Sequence, residues 1–502
     1  MNRFSACFLA WYVALFAASG ASAATLADVS EVAGEATDFS GLGDVAPFDR
    51  LGGFGSDLYF DRFRGDYYGL VDAGSAVPAF PYATRVQRFT LEVDPATGEL
   101  GNFALQATIP FKTADGSAHF VGTGPRAQTG DSSALGLSFD PEGFVVAPNG
   151  NFYVADEFGP ALYEFRPVQV GDSVEARFVR SFGVPAALLP VDSLGQINYS
   201  ARRGGDPSLV SGRQENRGFE GLAISPDGTS LFAVMQGPLV EEGFSNNGRF
   251  SRNLRIVEFD VASGQSSGQF IYQLESIASA NDRLPGFAND FLANDQGRDI
   301  GVSAIVALND HELLVLERDS RGVSAANPLN ENNTLSAVAI KRVYSVDLST
   351  GSDASGINLV GVNELPPGFM PVDKTLLLDI QAELEANGLA IPERIEGLSI
   401  GPQLASGEYA LLAITDNDFS ILQMDSGERL EVYTDGAFTP VDFPLAGKTL
   451  LPTQIFSFAV ELPNYVAPVP EPGTAVMLGL GFTLFIVSST GKVRGRVNFR
   501  TM

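Results

Sequence analysis

The feature that most constrains the fold of this chain is a hairpin signature that recurs along it. Glu142-Gly143, Glu220-Gly221 and Glu396-Gly397 each open an apolar run of strand type, and a short turn leads from that run into a second apolar run. Antiparallel pairing places the start of the first run beside the end of the second. A signature that repeats along a chain indicates a repeated structural unit, so we expect the three glutamates to occupy equivalent places.

The second run of each hairpin ends in polar residues, most of them acidic. Asp156 and Glu157 follow the first pair, Gln236 follows the second, and Asp416 and Asp418 follow the third. We therefore expect each glutamate to lie beside the polar end of its partner strand.

Two weaker copies extend the series, and serine replaces the glutamate in both. Ser303 opens the run at 303–308, and Ser56 opens the run near the beginning of the chain. The partner runs of these two copies end at Glu317, Arg318 and Asp319, and at Asp72. A ring built from five such units would therefore carry three first-strand acids, and any cation site in it would be lopsided.

Third and fourth strands follow several hairpins, as at 255–260 and 270–274, and alternate apolar and polar residues. Four short antiparallel strands per unit predict an all-β fold, a β-propeller of five or six four-stranded blades with long loop insertions. The run at 455–460 could form a sixth blade with strands near the N-terminus. The insertions, predicted near 184–216, 276–299, 320–341 and 363–394, are typical of a binding surface.

The two ends of the chain read as targeting segments. Arg3, the apolar residues 7–18 and the small residues 21–23 predict a signal peptide at 1–23. The propeller domain is predicted at 24–465. At 466–502, Pro470-Glu471-Pro472 precedes a short apolar run and a basic end, which predicts a sorting segment with a short transmembrane stretch.

Composition excludes several kinds of chemistry. The single cysteine, Cys7, lies inside the predicted signal peptide, so the mature body would have no disulfide, thiolate catalysis or cysteine-bound zinc. The formal net charge is −28, which argues against nucleic-acid binding because such binding needs Lys and Arg against phosphate. An exported soluble protein or a holder of divalent cations fits this charge.

The motifs together resemble the phytase-like propeller domain family, described as "esterase-like activity of phytase". The matching segments are 142–143, 156–160, 216–223, 236–239, 316–319, 374–379, 396–398 and 416–419. The tail resembles the PEP-CTERM sorting signal that exosortase systems process in Gram-negative bacteria; a simple membrane anchor is the alternative. We therefore expect an exported protein, anchored in the inner membrane and then found at the cell surface or outside the cell.

Converging carboxylates without clustered His or Cys favour Ca²⁺, which the better-known phytase propellers also use. The predicted metal ligands are Glu142, Asp156, Glu157, Glu220, Glu317, Asp319, Glu396, Asp416 and Asp418. The predicted catalytic residues are Glu220, Arg217 and Arg318. The competing interpretation is that these acids brace the strand ends by pairing with arginines of neighbouring blades, among them Arg394.

The resemblance implies a calcium-dependent phosphoester hydrolase acting on a small phosphoester. The two histidines of the sequence, His119 and His311, lie in different units, and a Ser-His-Asp triad would have to use one of them, so an ordinary serine esterase is not expected. The alternative is a non-catalytic surface or matrix propeller that binds a ligand such as a surface polysaccharide. An exosortase-type enzyme and the inner membrane are the other expected partners.

Overall fold

The computed structural model describes residues 24–41, 49–73, 82–325, 337–424, 428–441 and 443–468. The strands in these ranges are β1 Thr25–Val32, β2 Leu58–Asp61, β3 Asp66–Val71, β4 Arg85–Val93, β5 Leu100–Lys112, β6 Pro141–Val146, β7 Phe152–Asp156, β8 Ala161–Val170, β9 Ser173–Ser181, β10 Val191–Asp192, β11 Leu209–Ser211, β12 Phe219–Ile224, β13 Ser230–Met235, β14 Asn253–Asp260, β15 Gln265–Gln273, β16 Ile300–Ala307, β17 Glu312–Asp319, β18 Lys341–Asp347, β19 Asp373–Asp379, β20 Ile395–Gln403, β21 Tyr409–Thr415, β22 Ile421–Gln423, β23 Arg429–Val432, β24 Phe438–Pro440 and β25 Thr453–Val460. The α-helices are α1 Pro125–Thr129, α2 Ile277–Asn281 and α3 Ile380–Ala386. Single 3₁₀ turns lie at Leu51–Gly53, Ala186–Leu188, Gly248–Phe250, Phe287–Asn289, Ala293–Asp295, Leu348–Thr350 and Asp418–Ser420.

The strand order is that of a β-propeller with five four-stranded blades. Blade 1 is β2-β3-β4-β5, blade 2 is β6-β7-β8-β9, blade 3 is β12-β13-β14-β15 and blade 4 is β16-β17-β18-β19. Blade 5 is β20-β21-β25-β1. The outer strands of blades 1 and 2 also pair in parallel, through β5 and β9, so these two blades form one eight-stranded sheet.

The ring closes in blade 5, where the two ends of the domain meet. Strand β25 pairs with β21 on one side and with the N-terminal strand β1 on the other. The run at 455–460 pairs with an N-terminal strand, as expected, but the two strands complete the fifth blade and do not form a sixth. Pairing with β1 removes an exposed sheet edge, which is the physical reason for this closure.

The core lies between the blades rather than within one centre. Five clusters of buried apolar side chains fill the five interfaces between neighbouring blades. Each cluster contains residues from the two blades that meet there. Each blade is therefore buried on both faces, which suits sheets whose strands are almost continuously apolar.

The innermost strands approach one another closely because glycine follows the recurring glutamate. A Cβ added to Gly143 would lie 2.7 Å from Leu222 N, and one added to Gly397 would lie 2.7 Å from Leu58 N. A Cβ added to Gly221 would lie 2.9 Å from Ile305 N. The glycine of each Glu-Gly pair is thus a packing requirement between blades.

The predicted signal peptide (1–23) and nearly all of the predicted sorting segment lie outside the described residues. Strand β1 begins at Thr25, and the described chain continues past β25 to residue 468. Within the described ranges, no helix has the length and apolar character needed to cross a bilayer. The segment boundaries at 23/24 and 465/466 stay predictions.

Replacing Gly397 with Ala should destabilise the protein by about 1–3 kcal/mol, because the methyl group collides with backbone atoms of the next blade. Gly101→Ala is the matched control, since this glycine also lies in a strand and its added Cβ meets no atom within 4 Å. Urea unfolding of the two variants measures the difference. Equal free energies of unfolding would contradict the close-packing explanation.

Candidate functional site

A cavity of about 770 Å³ opens where the first strands of the blades begin. Its lower part is lined by side chains from the inner strands, and its wall comes from the loops before β6 and β12. The wall includes Pro125 and Arg126 from the first of these loops and Tyr199 from the second. The volume lies within the range of small-molecule pockets, so the site can accommodate a ligand of moderate size.

The recurring first-strand residues lie at β-bulges. The pairing register shifts between Pro141 and Gly143, between Phe219 and Gly221, between Val302 and Ala304, and between Ile395 and Gly397. The residues inside these shifts are Glu142, Glu220, Ser303 and Glu396. A bulge turns a side chain away from the ordinary face of its strand, and it directs the three glutamates into the cavity, which they line.

The cavity carries a concentration of buried carboxyl groups that we call the acidic floor. Its members are Asp72, Asp140, Glu142, Glu157, Glu220, Glu396, Asp416 and Asp418, each 7% exposed or less. The first six line the cavity, and the last two lie against Asp72. The floor therefore draws on blades 1, 2, 3 and 5.

Blade 4 contributes an arginine where the other blades contribute acids. Arg318 Nε donates to Ser303 Oγ at 2.5 Å, and its guanidinium also forms a buried salt bridge with Glu396 of blade 5. The small serine at the bulge leaves room for this arrangement. Ser303 thus occupies the position predicted for it, and the ring is lopsided as expected.

A second arginine balances part of the floor. Arg394 Nη1 lies 3.4 Å from Asp416 Oδ2 and 3.2 Å from Asp418 Oδ1. The bridge between Arg318 and Glu396 joins neighbouring blades, as the bracing interpretation expected, whereas Arg394 pairs with two acids of its own blade. The remaining five carboxyl groups of the floor have no salt bridge among the described residues.

The loop that carries Asp416 and Asp418 has an uncommon backbone. Asp418, Phe419 and Ser420 have φ values of 50°, 57° and 58°, in the left-handed region that non-glycine residues seldom adopt. Asp418 N donates to Asp416 Oδ1 at 3.0 Å, and Ser420 Oγ donates to Leu451 O at 2.7 Å. Such strain costs about 1–3 kcal/mol for each residue and is commonly found at functional sites.

Several buried floor oxygens have no hydrogen-bonding partner in the described part of the chain. They are Asp72 Oδ1, Glu157 Oε1 and Glu220 Oε2. A buried polar atom normally has a partner, because leaving it unpaired costs about 1–3 kcal/mol. These oxygens therefore mark the floor as a place where a bound ligand could supply the missing interactions.

Burial and mutual repulsion raise the pKa values of the floor. Burial is the largest cause for Glu220, whose pKa rises to about 7, and Glu396 raises it further. Burial also raises the pKa of Asp140 to about 6, although the Ala73 N–H lowers it. Burial and then the neighbouring Glu220 hold the pKa values of Glu142 and Glu157 well above their usual range. The floor thus resists full ionisation without added positive charge.

Two groups of floor acids have the spacing of a cation site. Oxygens of Asp72, Asp416 and Asp418 lie within 4.8 Å of one another, and so do oxygens of Asp72, Asp140 and Glu142. Oxygens this close can contact one Ca²⁺ ion at its usual 2.3–2.6 Å. The donor set is carboxylate only, which suits a hard cation.

Two of the predicted ligands face away from the cavity. Glu317 accepts hydrogen bonds from Tyr272, Glu275 N and Lys374, and Asp319 accepts from Lys341 Nζ at 2.8 Å. Both side chains are fully buried and do not line the cavity. The structure does not bring them together with the acidic floor, because their positions on β17 are saturated by neighbouring donors.

Asp156 and Arg217 lie behind the floor rather than in it. Asp156 Oδ1 accepts from Asp140 N at 2.9 Å and from Phe158 N at 3.2 Å, so it braces the loop that carries Glu157. Arg217 donates to the carbonyl oxygen of Arg298 and is absent from the cavity lining. The other predicted residues, including Arg318, meet at the floor.

Sequence reasoning missed Asp140 and Arg213. Asp140 lies two residues before Glu142, and this proximity was the available signal. Arg213 lies in the insertion before β12, which no repeat covers, and its buried guanidinium donates to carbonyl oxygens of Phe158, Gly159 and Tyr199. No pattern in the sequence marks it.

Residues 49–419 match the family model described as "Phytase-like: Esterase-like activity of phytase". The chain belongs to the phytase-like family. The matched range spans most of the propeller and contains every member of the acidic floor. The resemblance that the motifs indicated is therefore confirmed for the domain.

Other similarities of this phytase-like chain are more distant. It is 27% identical over 333 residues to a protein from Arthroderma benhamiae named "Uncharacterized secreted protein", covering 60% of this chain and 62% of that relative. This chain thus spans less than two thirds of the relative's length.

Solved structures with detectable similarity include the calcium structure of a carbohydrate-active enzyme of family AA12 from Trichoderma reesei, with 11% identity over 79% of this chain and 95% of that chain and a TM-score of 0.30. The Dos1 propeller matches with 9% identity over 82% and 69% and a TM-score of 0.25. The five-bladed architecture itself is established by the strand order of the present chain.

The pKa shifts predict how the stability of the metal-free protein depends on pH. The pKa of Glu220 rises from 4.5 to about 7 on folding, so between these values the folded state binds more protons than the unfolded state, and stability falls as pH rises. Glu220 alone accounts for a loss of about 3 kcal/mol. We expect a lower Tm at pH 8 than at pH 5 in EDTA, and a smaller fall in Glu220→Gln. A Tm that rises over this interval would contradict the assignment.

Proposed function

We propose that this phytase-like propeller is a divalent-cation-dependent phosphoester hydrolase, with Ca²⁺ as the favoured cation. The observation that carries the proposal is the set of unpartnered, buried carboxylate oxygens on Asp72, Glu157 and Glu220 beside an open cavity of about 770 Å³. Family membership supports the same reaction class.

Charge explains why the substrate would need a cation. A phosphate is an anion, and the acidic floor would repel it, because like charges at short range in a buried site destabilise each other strongly. A divalent cation held by the floor would reverse this local charge, and it would supply polarisation of a phosphoryl oxygen and acidification of water. Asp72, Asp140 and Glu142 have the oxygen spacing to hold such an ion, and Asp72 Oδ1 has no hydrogen-bonding partner among the described residues.

The chain's own residues then position the phosphate and handle the proton. Arg318 lines the cavity and offers its guanidinium edge to a phosphoryl oxygen, and Arg394 adds positive charge beside it. Glu220 accepts a proton from the attacking water while the water oxygen bonds to phosphorus. The phosphorus–oxygen bond to the leaving group breaks, and the departing alkoxide takes up a proton from solvent water. Arg217 contributes through its charge from behind Glu220, since it does not line the cavity.

The pKa of Glu220, about 7, suits a group that must accept a proton near neutral pH. Its Oε1 accepts a hydrogen bond from Gln236 Nε2, and its Oε2 has no partner among the residues that the structure describes. One oxygen therefore fixes the side chain, and the other is available to water.

Hydrolysis of p-nitrophenyl phosphate and of phytate by the purified protein tests this proposal. We expect turnover with Ca²⁺, none with EDTA, and a loss in kcat of about 100-fold or more in Glu220→Gln, because a general base is removed. Glu99→Gln, an exposed charge far from the cavity, is the matched control and should retain full activity.

The absence of turnover by the folded protein on both substrates in Ca²⁺ would sink the hydrolase proposal. Saturable binding of an acidic or neutral saccharide in that case would favour the alternative, a non-catalytic surface or matrix propeller. Tyr199 and Arg126 line the wall of the cavity, where either kind of ligand could contact them.

We also propose that the protein is exported. The predicted signal peptide at 1–23 and the secreted designation of the Arthroderma benhamiae relative both support it.

We further propose that the segment 466–502 acts as a PEP-CTERM signal, holding the protein at the inner membrane until an exosortase-type enzyme processes it for the cell surface. Mass spectrometry of the mature protein tests this: we expect an N-terminus at Ala24 and a C-terminus near Pro470. An intact chain of 502 residues would contradict both cleavages.

A further inference from the structure

The two groups of closely spaced acids in the floor share one member, Asp72. One group is Asp72 with Asp140 and Glu142, called half-site A here, and the other is Asp72 with Asp416 and Asp418, called half-site B. We propose that the floor binds two divalent cations and that the carboxylate of Asp72 bridges them.

Asp72 has the burial and the free valence that a bridging ligand needs. It is 5% exposed, lines the cavity, and its Oδ1 has no hydrogen-bonding partner. A carboxylate oxygen of Asp72 lies within 4.8 Å of oxygens of Asp140 and Glu142, and the same holds for Asp416 and Asp418 in the other half-site. Asp72 therefore lies between two groups of acids, and no salt bridge reaches it among the described residues.

The backbone around Asp72 fixes its place between the half-sites. Tyr82 donates its hydroxyl to the Asp72 carbonyl oxygen, and the next amide, Ala73 N, donates to Asp140 Oδ1 at 2.9 Å. On the other side, Asp418 N donates to Asp416 Oδ1. Both flanking acids are thus locked in position before any ion arrives, which limits the reorganisation that binding requires.

The half-sites differ in their balance of charge. No salt bridge reaches Asp140 or Glu142 among the described residues, whereas Asp416 and Asp418 both pair with Arg394 at 3.4 and 3.2 Å. A cation entering half-site B must compete with that arginine, and it also meets the charge of the cation already in half-site A. Half-site A should therefore fill first and hold its cation more tightly.

Two cations held by one carboxylate form the arrangement that clamps the attacking and leaving oxygens in two-metal hydrolysis. This consequence rests on the proposed function. The number of cations and the role of Asp72 do not, because they can be measured without turnover.

Calorimetric titration of Ca²⁺ into the EDTA-treated, then desalted, protein tests the inference. The wild type should bind two Ca²⁺ ions in two phases whose affinities differ by about tenfold or more. Glu142→Gln should remove the tighter phase, Asp418→Asn the weaker one, and Asp72→Asn should weaken both by at least tenfold. Arg394→Gln should strengthen the weaker phase, and Glu99→Gln should leave both unchanged.

Circular dichroism of each variant establishes that the fold is retained. One bound ion in the wild type would overturn the inference, as would loss of only one phase in folded Asp72→Asn. Two phases without hydrolysis would sink the proposed function and leave this inference standing. Hydrolysis by a protein that binds a single ion would overturn this inference and leave the proposed function standing.

Discussion

Mutual repulsion among the carboxyl groups of the acidic floor is the interaction on which the rest of this structure depends. Eight acids converge at the mouth of the propeller, and three salt bridges to Arg318 and Arg394 balance only part of their charge. Burial removes the water that would otherwise screen them, so each ionised group raises the pKa values of its neighbours. Such an arrangement is costly in a metal-free protein and becomes favourable once positive charge is supplied.

The fold meets this cost through its packing. Five apolar clusters between blades and the closure of blade 5 by β1 hold the inner strands at a fixed spacing, and glycines such as Gly143 and Gly397 permit the close contact. The bulges that precede these glycines then direct the glutamates into the cavity. Stability from the body of the propeller thus maintains a destabilised site, the usual relation between scaffold and function.

Much of this architecture could be predicted from the sequence because the signal repeats. The Glu-Gly pairs, with Ser303 as a degenerate copy, identified the first strands and their place in the ring, and alternating strands identified the blades. The pairing of the run at 455–460 with an N-terminal strand was expected, but the blade count could not be fixed, because the sequence does not show that β20 and β21 pack beside these two strands. A strand pattern does not say which hairpin a distant strand pair joins.

The site was predicted less completely than the fold, for a related reason. Residues that follow a second strand look alike in sequence, yet Asp416 reaches the floor, while Glu317 and Asp319 meet Lys374 and Lys341 instead. The donors that saturate Glu317 lie on β15, just after it, and on β19, far away along the chain. Asp140 directly precedes β6, and Arg213 lies in an insertion outside the repeat. Contacts with residues distant in sequence therefore decide which side chains reach the acidic floor.

Anomalous diffraction from crystals soaked in a Ca²⁺ substitute such as Tb³⁺ tests the central claim most directly, since it locates ions without relying on activity. The account predicts anomalous density on both sides of the Asp72 carboxylate, within about 2.3–2.6 Å of its oxygens as expected for a calcium-type ion. Density confined to the protein surface, with the floor carboxyl groups bonded to one another or to arginine, would contradict it.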